Sequence, residues 1–220
     1  MISRNLRTVT ARKKVIDKAI FAYGAITTLS GYLNISNLVS NTGVVATDTA
    51  GVGTARVTAG ASYGTDKAIF AYGFGGAVTA VSNLVSNTGV VSADVTGVGT
   101  ARYGAGAAGY GTDKVIFAYG AIAIGTFVSI SNLVSNTGVV ATDTAGVGTA
   151  RAGLVGINVT GAMGAAGYGT DKAIFAYGQT SISVYTNASN LVSNTGVVAT
   201  DTAGVGTARC GAGGAGYGST

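Results

Sequence analysis

Side chains able to move a proton, hold a metal or grip an anion are few in this chain, and nearly all recur at fixed spacing. Asp48, Asp94, Asp143 and Asp201 each stand eight residues before an arginine: Arg56, Arg102, Arg151 and Arg209. Carboxylate and guanidinium at such spacing form charge-assisted pairs. These pairs tie each turn together or link neighbouring units, and exposed ones contribute about 0–1 kcal/mol. The four arginines taken together are also a candidate anion-binding ring. A second set, Asp17-Lys18, Asp66-Lys67, Asp113-Lys114 and Asp171-Lys172, reads as a turn carboxylate beside a solvated base. Histidine and glutamate, both common in general acid–base catalysis, are absent. A catalytic centre also needs asymmetry, which four equal copies supply poorly. The reading is therefore non-enzymatic. A zinc site would need a His or multi-Cys cluster, and one carboxylate per turn is thin for calcium, so no metal or cofactor is expected.

Two further kinds of side chain carry binding chemistry. Eleven tyrosines are present, and an exposed ring stacks on a sugar through its apolar face while its hydroxyl stays polar. Tyr32 and Tyr185 fall where the copies differ and are the candidate ligand-binding residues. Tyr23, Tyr72, Tyr119 and Tyr177 end a repeated apolar strand and read as core. The single cysteine, Cys210, reads as a small apolar filler. Glycine runs such as Gly104-Ala-Gly106-Ala-Ala-Gly109 match the dinucleotide-binding spacing, but that motif needs a helix to follow it, and here a strand follows.

The net charge of +5 is concentrated. Arg4, Arg7, Arg12, Lys13 and Lys14 lie within the first fourteen residues, after which each unit carries two acids and two bases. A basic arm on a neutral body suits an acidic partner in an assembly. It does not make the basic stripe that nucleic-acid binding across the body would require. No apolar stretch approaches the eighteen residues of a membrane-spanning helix, and the basic start is not followed by the apolar core of a secretion signal. The expectation is synthesis in the cytoplasm and incorporation into a larger particle, with an extracellular location as the alternative.

The elements that hold these residues come from a repeat. Asp-Lys-(Ala/Val)-Ile-Phe-Ala-Tyr-Gly begins at Asp17, Asp66, Asp113 and Asp171, and Ser-Asn-Leu-Val-Ser-Asn-Thr-Gly-Val-Val at Ser36, Ser82, Ser131 and Ser189. Gly-Val-Gly-Thr-Ala-Arg closes at each of the four arginines, and a Gly/Ala stretch ending in Tyr-Gly follows. The chain thus divides into an arm, 1–16, and one repeat domain, 17–220, with units of about 17–65, 66–112, 113–170 and 171–220. Each unit reads as four short strands: the Gly/Ala stretch (Tyr103 to Tyr110), an apolar strand (Lys114 to Tyr119), a variable strand (Ala77 to Leu84, Thr126 to Val134) and an outer strand (Val139 to Thr142). The second is apolar on both faces, as a strand buried on both sides must be. Mean hydropathy is +0.45, and the 37 glycines stand among β-branched and aromatic residues. That composition predicts an ordered sheet protein rather than a disordered chain.

Four strands in about fifty residues is the size of a propeller blade. The run Thr100 to Gly120 resembles a kelch repeat: Arg, a small-residue strand, a turn, then an apolar strand ending in glycine. It departs from that pattern in having Tyr-Gly for the paired glycines and no outer-strand tryptophan. The repeats are also similar to glycine-rich repeats encoded by marine bacteriophages. The resemblance implies an all-β, four-bladed propeller-like fold and a virion-associated structural or binding role in a tail, fibre or capsid surface. Partners would then be other assembly proteins, further copies of the chain, or host glycans. A β-solenoid and a strand-exchanged oligomeric propeller are the alternative architectures. A carbohydrate-binding module and a fibre built by strand exchange are the alternative functions. Residues 17–24 lack a Gly/Ala strand before them and 211–218 lack an apolar strand after them. Pairing of these two segments, within one chain or between chains, would complete the interrupted unit.

Overall fold

A computed structural model describes residues 18–26, 30–155 and 161–217. They form an all-β protein with no helix among them. Eleven strands make four small antiparallel sheets: β1 (Ala19–Ala25) with β2 (Tyr32–Val39); β3 (Val57–Tyr63), β4 (Lys67–Phe74) and β5 (Val78–Val85); β6 (Gly106–Tyr110), β7 (Lys114–Ala123) and β8 (Thr126–Val134); and β9 (Ala165–Tyr168), β10 (Lys172–Ser181) and β11 (Val184–Val192). The apolar strand is central in each three-stranded sheet. The expected outer strand is instead a wandering segment held by isolated bridges, Val134 to Val140 and Ser131 to Thr144 in the third unit.

The two-faced apolar pattern of the central strand has a direct cause. Along β7, Val115 and Phe117 pack with Ile69, Ala71 and Tyr72 of the preceding unit, while Ile116 and Ala118 pack with Ala173 and Phe175 of the following one. Alternating side chains point to opposite faces, so each central strand joins two cores at once. Burying one such Phe is worth roughly 1.5–3 kcal/mol. The Gly/Ala strands also stack, β3 on β6 and β6 on β9. Small residues are required there because the backbones approach closely. A Cβ on Gly106 would press into the Phe175 ring, and one on Gly167 would sit 3.4 Å from the Gly109 carbonyl.

Segment 211–217 continues this stack. Gly214 and Gly216 lie over the backbone of Ala165 and Gly167 of β9. Among the described residues no ladder joins this segment to β1. It lies instead on β9, in the sheet of β10 and β11, and the sheet of β1 and β2 has two described strands where the others have three.

Candidate functional site

Each junction between units is built from five side chains, and a backbone irregularity aims the first of them. Tyr23, Tyr72, Tyr119 and Tyr177 have φ of 65°, 61°, 63° and 64°, and each is followed by a glycine near 120°. The register shifts at the same place in every sheet, between Ala71 and Gly73 in β4 for example. A bulge re-aims a side chain, and left-handed φ at a tyrosine costs free energy that neighbouring contacts must offset. The contacts are present. The Tyr72 hydroxyl donates to the Val98 carbonyl at 3.1 Å, its ring meets Phe117 edge-on at 5.5 Å, and the Arg102 guanidinium lies 3.9 Å over its face.

The arginine reaches on into the following unit. Arg56, fully buried, donates from Nε to the Tyr72 carbonyl at 2.9 Å, from Nη1 to the Thr54 carbonyl at 2.9 Å, and from Nη2 to Asn83 Oδ1 at 2.8 Å. Arg151 repeats this with the Tyr177 and Thr149 carbonyls and Asn190 Oδ1 at 3.0, 3.2 and 2.6 Å. Arg102 makes the Tyr119 and Thr100 bonds at 2.8 and 3.1 Å, while Asn132 Oδ1 is left buried without a partner. The aspartate completes the lock from the far side. Asp94 accepts from the Thr54 amide and hydroxyl of the preceding unit and from Asn83 of its own. Asp143 does the same with Thr100 and Asn132, and Asp201 with Thr149 and Asn190. A glycine leaves the space: a Cβ on Gly53, Gly99 or Gly148 would overlap the aspartate and asparagine.

The aspartates therefore link neighbouring units, and the pairing eight residues apart within one turn does not form among the described residues. The reason is directional: Arg56, Arg102 and Arg151 point forward to the carbonyls of the next apolar strand. The one arginine–aspartate approach within 4 Å among the described residues is across a junction, Arg151 to Asp201 at 3.7 Å. Burial would raise the carboxyls of Asp94, Asp143 and Asp201. The hydrogen bonds from Thr and Asn, with the arginine charge, outweigh it and hold them below the usual 3.8. Burial lowers the guanidinium values of Arg56 and Arg102. It pushes the Tyr72 and Tyr119 phenols up to about 12, against the pull of Arg102 and Arg151.

The chain matches no family model, and no curated protein matches it.

The remaining sequence-derived candidates scatter. Tyr32 opens β2 and meets the Phe74 ring edge-on at 5.9 Å. Tyr185 lies in β11, 44% exposed. The two occupy equivalent positions, opposite Ala25 and Gln179, but belong to the first and fourth units and share no cleft. Asp66–Lys67, Asp113–Lys114 and Asp171–Lys172 form adjacent-residue ion pairs at hairpin turns, at 3.0, 3.0 and 3.3 Å, and Asp17 lies outside the described residues. The four arginines do not make a ring: three are buried at separate junctions and Arg209 is exposed. Cys210 is a half-buried free thiol. Arg4, Arg7, Arg12, Lys13 and Lys14 lie outside the described residues. Thr54, Thr100 and Thr149, with Asn83, Asn132 and Asn190, are the lock residues that sequence reasoning missed. Their repetition within Gly-Thr-Ala-Arg and Ser-Asn-Leu-Val was the available signal.

The lock is open at both ends of the described stack. In the first unit, among the described residues, Asp48 accepts only from Asn37, at 2.8 Å, and no arginine donates to Asn37 Oδ1. Phe21 is 64% exposed, whereas its equivalents Phe117 and Phe175 are fully buried. A groove of about 420 Å³ lies beside it, lined by Phe21, Tyr23, Ile35, Asn37, Gly60 and Phe70 among others. In the fourth unit Arg209 lies 3.6 Å over Tyr177, yet the one other described bond of its side chain goes to the Thr207 carbonyl.

Proposed function

We propose that this chain is a non-catalytic structural module of a large assembly, of the virion-associated kind that its repeats resemble. The observation that carries the reading is the use of the chemically capable side chains. Asp, Arg, Asn and the strand-ending Tyr of the body are spent on joining one unit to the next. Side chains committed to buried junctions are not free to bind and turn over a substrate.

The finer architecture we infer is an open stack of four units rather than a closed four-bladed ring. Neighbouring units share cores, and the segment that would close a ring lies on β9. Such quasi-one-dimensional stacks present extended, regularly spaced surfaces, here the hairpin tips where the copies differ. The basic arm at 1–16 is the anchor to an acidic partner in this reading. Host glycans are the second class of partner, supported by the exposure of Tyr185 at a hairpin.

The test is fractionation of the native source with an antibody to the purified chain. A structural module is found in the high-speed particulate fraction and decorates particles in electron micrographs. Recovery solely as free subunits overturns the assembly role. Glycan-array binding lost in Tyr185→Ser would then favour the carbohydrate-binding alternative.

A further inference from the structure

We infer that the open face of the first unit is a docking site for the fourth unit of a second copy of this chain, so that copies add head to tail. The inference deepens the structural reading above and rests on it. Three internal junctions define what an interface of this fold contains, and the two open faces hold its separate halves.

The match runs contact by contact. At internal junctions a tyrosine meets a phenylalanine of the next unit edge-on: Tyr23–Phe70 at 5.5 Å, Tyr72–Phe117 at 5.5 Å, Tyr119–Phe175 at 5.6 Å. The series leaves Tyr177 on one face and the exposed Phe21 on the other. Threonine engages aspartate at each internal junction, and arginine engages asparagine at two of the three. Among the described residues Thr207 and Arg209 meet no such pair, and Asp48 and Asn37 meet no such donors. Gly206 supplies the vacated space: its φ is 78°, like Gly148, yet a Cβ there would meet nothing but the Tyr177 hydroxyl at 3.8 Å. Leucine packs on the glycine turn of the following unit in Leu38–Gly89, Leu84–Gly138 and Leu133–Gly196. The unmatched members are Leu191, 42% exposed, and Gly43, with nothing within 4 Å.

The missing strand completes the argument. Segment 211–217 already stacks on β9 as β9 stacks on β6, but it has no strand partner of its own. Among the described residues β1 pairs on one side only. The register of β6 on β7, Ala107 to Phe117 and Tyr110 to Lys114, transfers to Gly214 opposite the second copy's Phe21 and Tyr217 opposite its Lys18. The groove beside Phe21 is where that strand lies. A free sheet edge is a template for pairing with another chain, and unlike faces on one molecule generate an open-ended filament when the rotation does not close.

Two variants, each with one face disabled at an exposed side chain, decide the matter by light scattering. Phe21→Asp blocks the first-unit face and Arg209→Glu blocks the fourth-unit face; unchanged circular dichroism and melting temperature certify their folds. The wild-type chain is expected to grow in mass with concentration. Each variant alone stays at the mass of one chain, and the equimolar mixture reaches twice that mass and stops, because it holds one intact pair of faces. A wild-type chain that stays monomeric, a variant that polymerises alone, or a mixture that stays monomeric overturns the inference. Association that appears only after residues 1–16 are deleted also overturns it, by showing that the arm occupies the groove. None of these outcomes bears on the particulate location that tests the structural role itself.

Discussion

The same arginine in the same sequence motif should differ in worth according to where its unit stands. Arg102 is fully buried, stacked at 3.9 Å over Tyr72 and bonded to the carbonyls of Tyr119 and Thr100. Arg102→Ala removes a desolvated cation–π contact, worth about 2 kcal/mol. It also strands buried carbonyls at about 1–3 kcal/mol each, and leaves the Asp143 cluster without its nearby cation. These terms overlap, and breaking one side of a buried charged network costs about 3–5 kcal/mol in total. Arg209 keeps the stacking, over Tyr177 at 3.6 Å, but is exposed and makes one of the backbone bonds. Arg209→Ala should cost about 0.5–1 kcal/mol. For a chain of this size 1 kcal/mol moves the melting temperature by about 2–4 °C. The two variants should therefore separate by roughly 10 °C in calorimetry at a dilution that keeps the chain monomeric. Repeat arrays lose all-or-none unfolding readily, so amide exchange adds the local readout: Arg102→Ala should lower protection in β4 and β7 more than in β10. Equal costs for the two arginines would refute the junction as the seat of the stabilisation.

The three junction aspartates make acid sensitivity a second expectation. Their folded values lie below 3.8, so their contribution is present above that pH and is lost as pH falls through the lower folded values. Melting temperature should drop below about pH 3.8, and Asp94→Asn with Asp143→Asn should flatten that limb while lowering the plateau. At the alkaline end, Tyr72 and Tyr119 ionise near 12 instead of 10. The stability they confer is full below pH 10 and falls as pH rises toward 12, and phenolate absorbance should show late-titrating tyrosines that Tyr72→Phe and Tyr119→Phe remove. Gly99→Ala places a methyl against Asp143 and Asn132, whereas Gly206→Ala meets open space. Both pay the cost of left-handed φ, about 1 kcal/mol, so urea midpoints should show a larger loss for Gly99→Ala by the overlap alone.

Much of the fold was legible because the repeat makes it redundant. Four copies of an apolar strand, a variable strand and a Gly/Ala strand name the all-β class. The bounds expected for the third unit's variable strand, Thr126 to Val134, are those of β8. The outer strand was misjudged at Val139 to Thr142 since short β-branched runs score as strands whether or not a ladder receives them. There the backbone bonds are isolated, as from Ala141 N–H to the Leu133 carbonyl, and side chains supplement them, with Asn132 donating to the Ala141 carbonyl and to Asp143.

Composition and period by themselves determined which residues recur, and hence that the same residue types meet at every junction. Partner choice was a tertiary matter. Asp94 is eight residues from Arg102 along the chain, yet it serves Thr54 forty residues back. The bulge at each Tyr-Gly turns the aromatic ring toward the neighbouring unit, and the arginine follows it across the junction. Spacing along a strand sets which face a side chain takes, but only the packing of one sheet on the next sets what that face meets. For the same reason four equal motifs are unequal in the folded chain: three are buried between units, and Arg209 faces outward with the fourth.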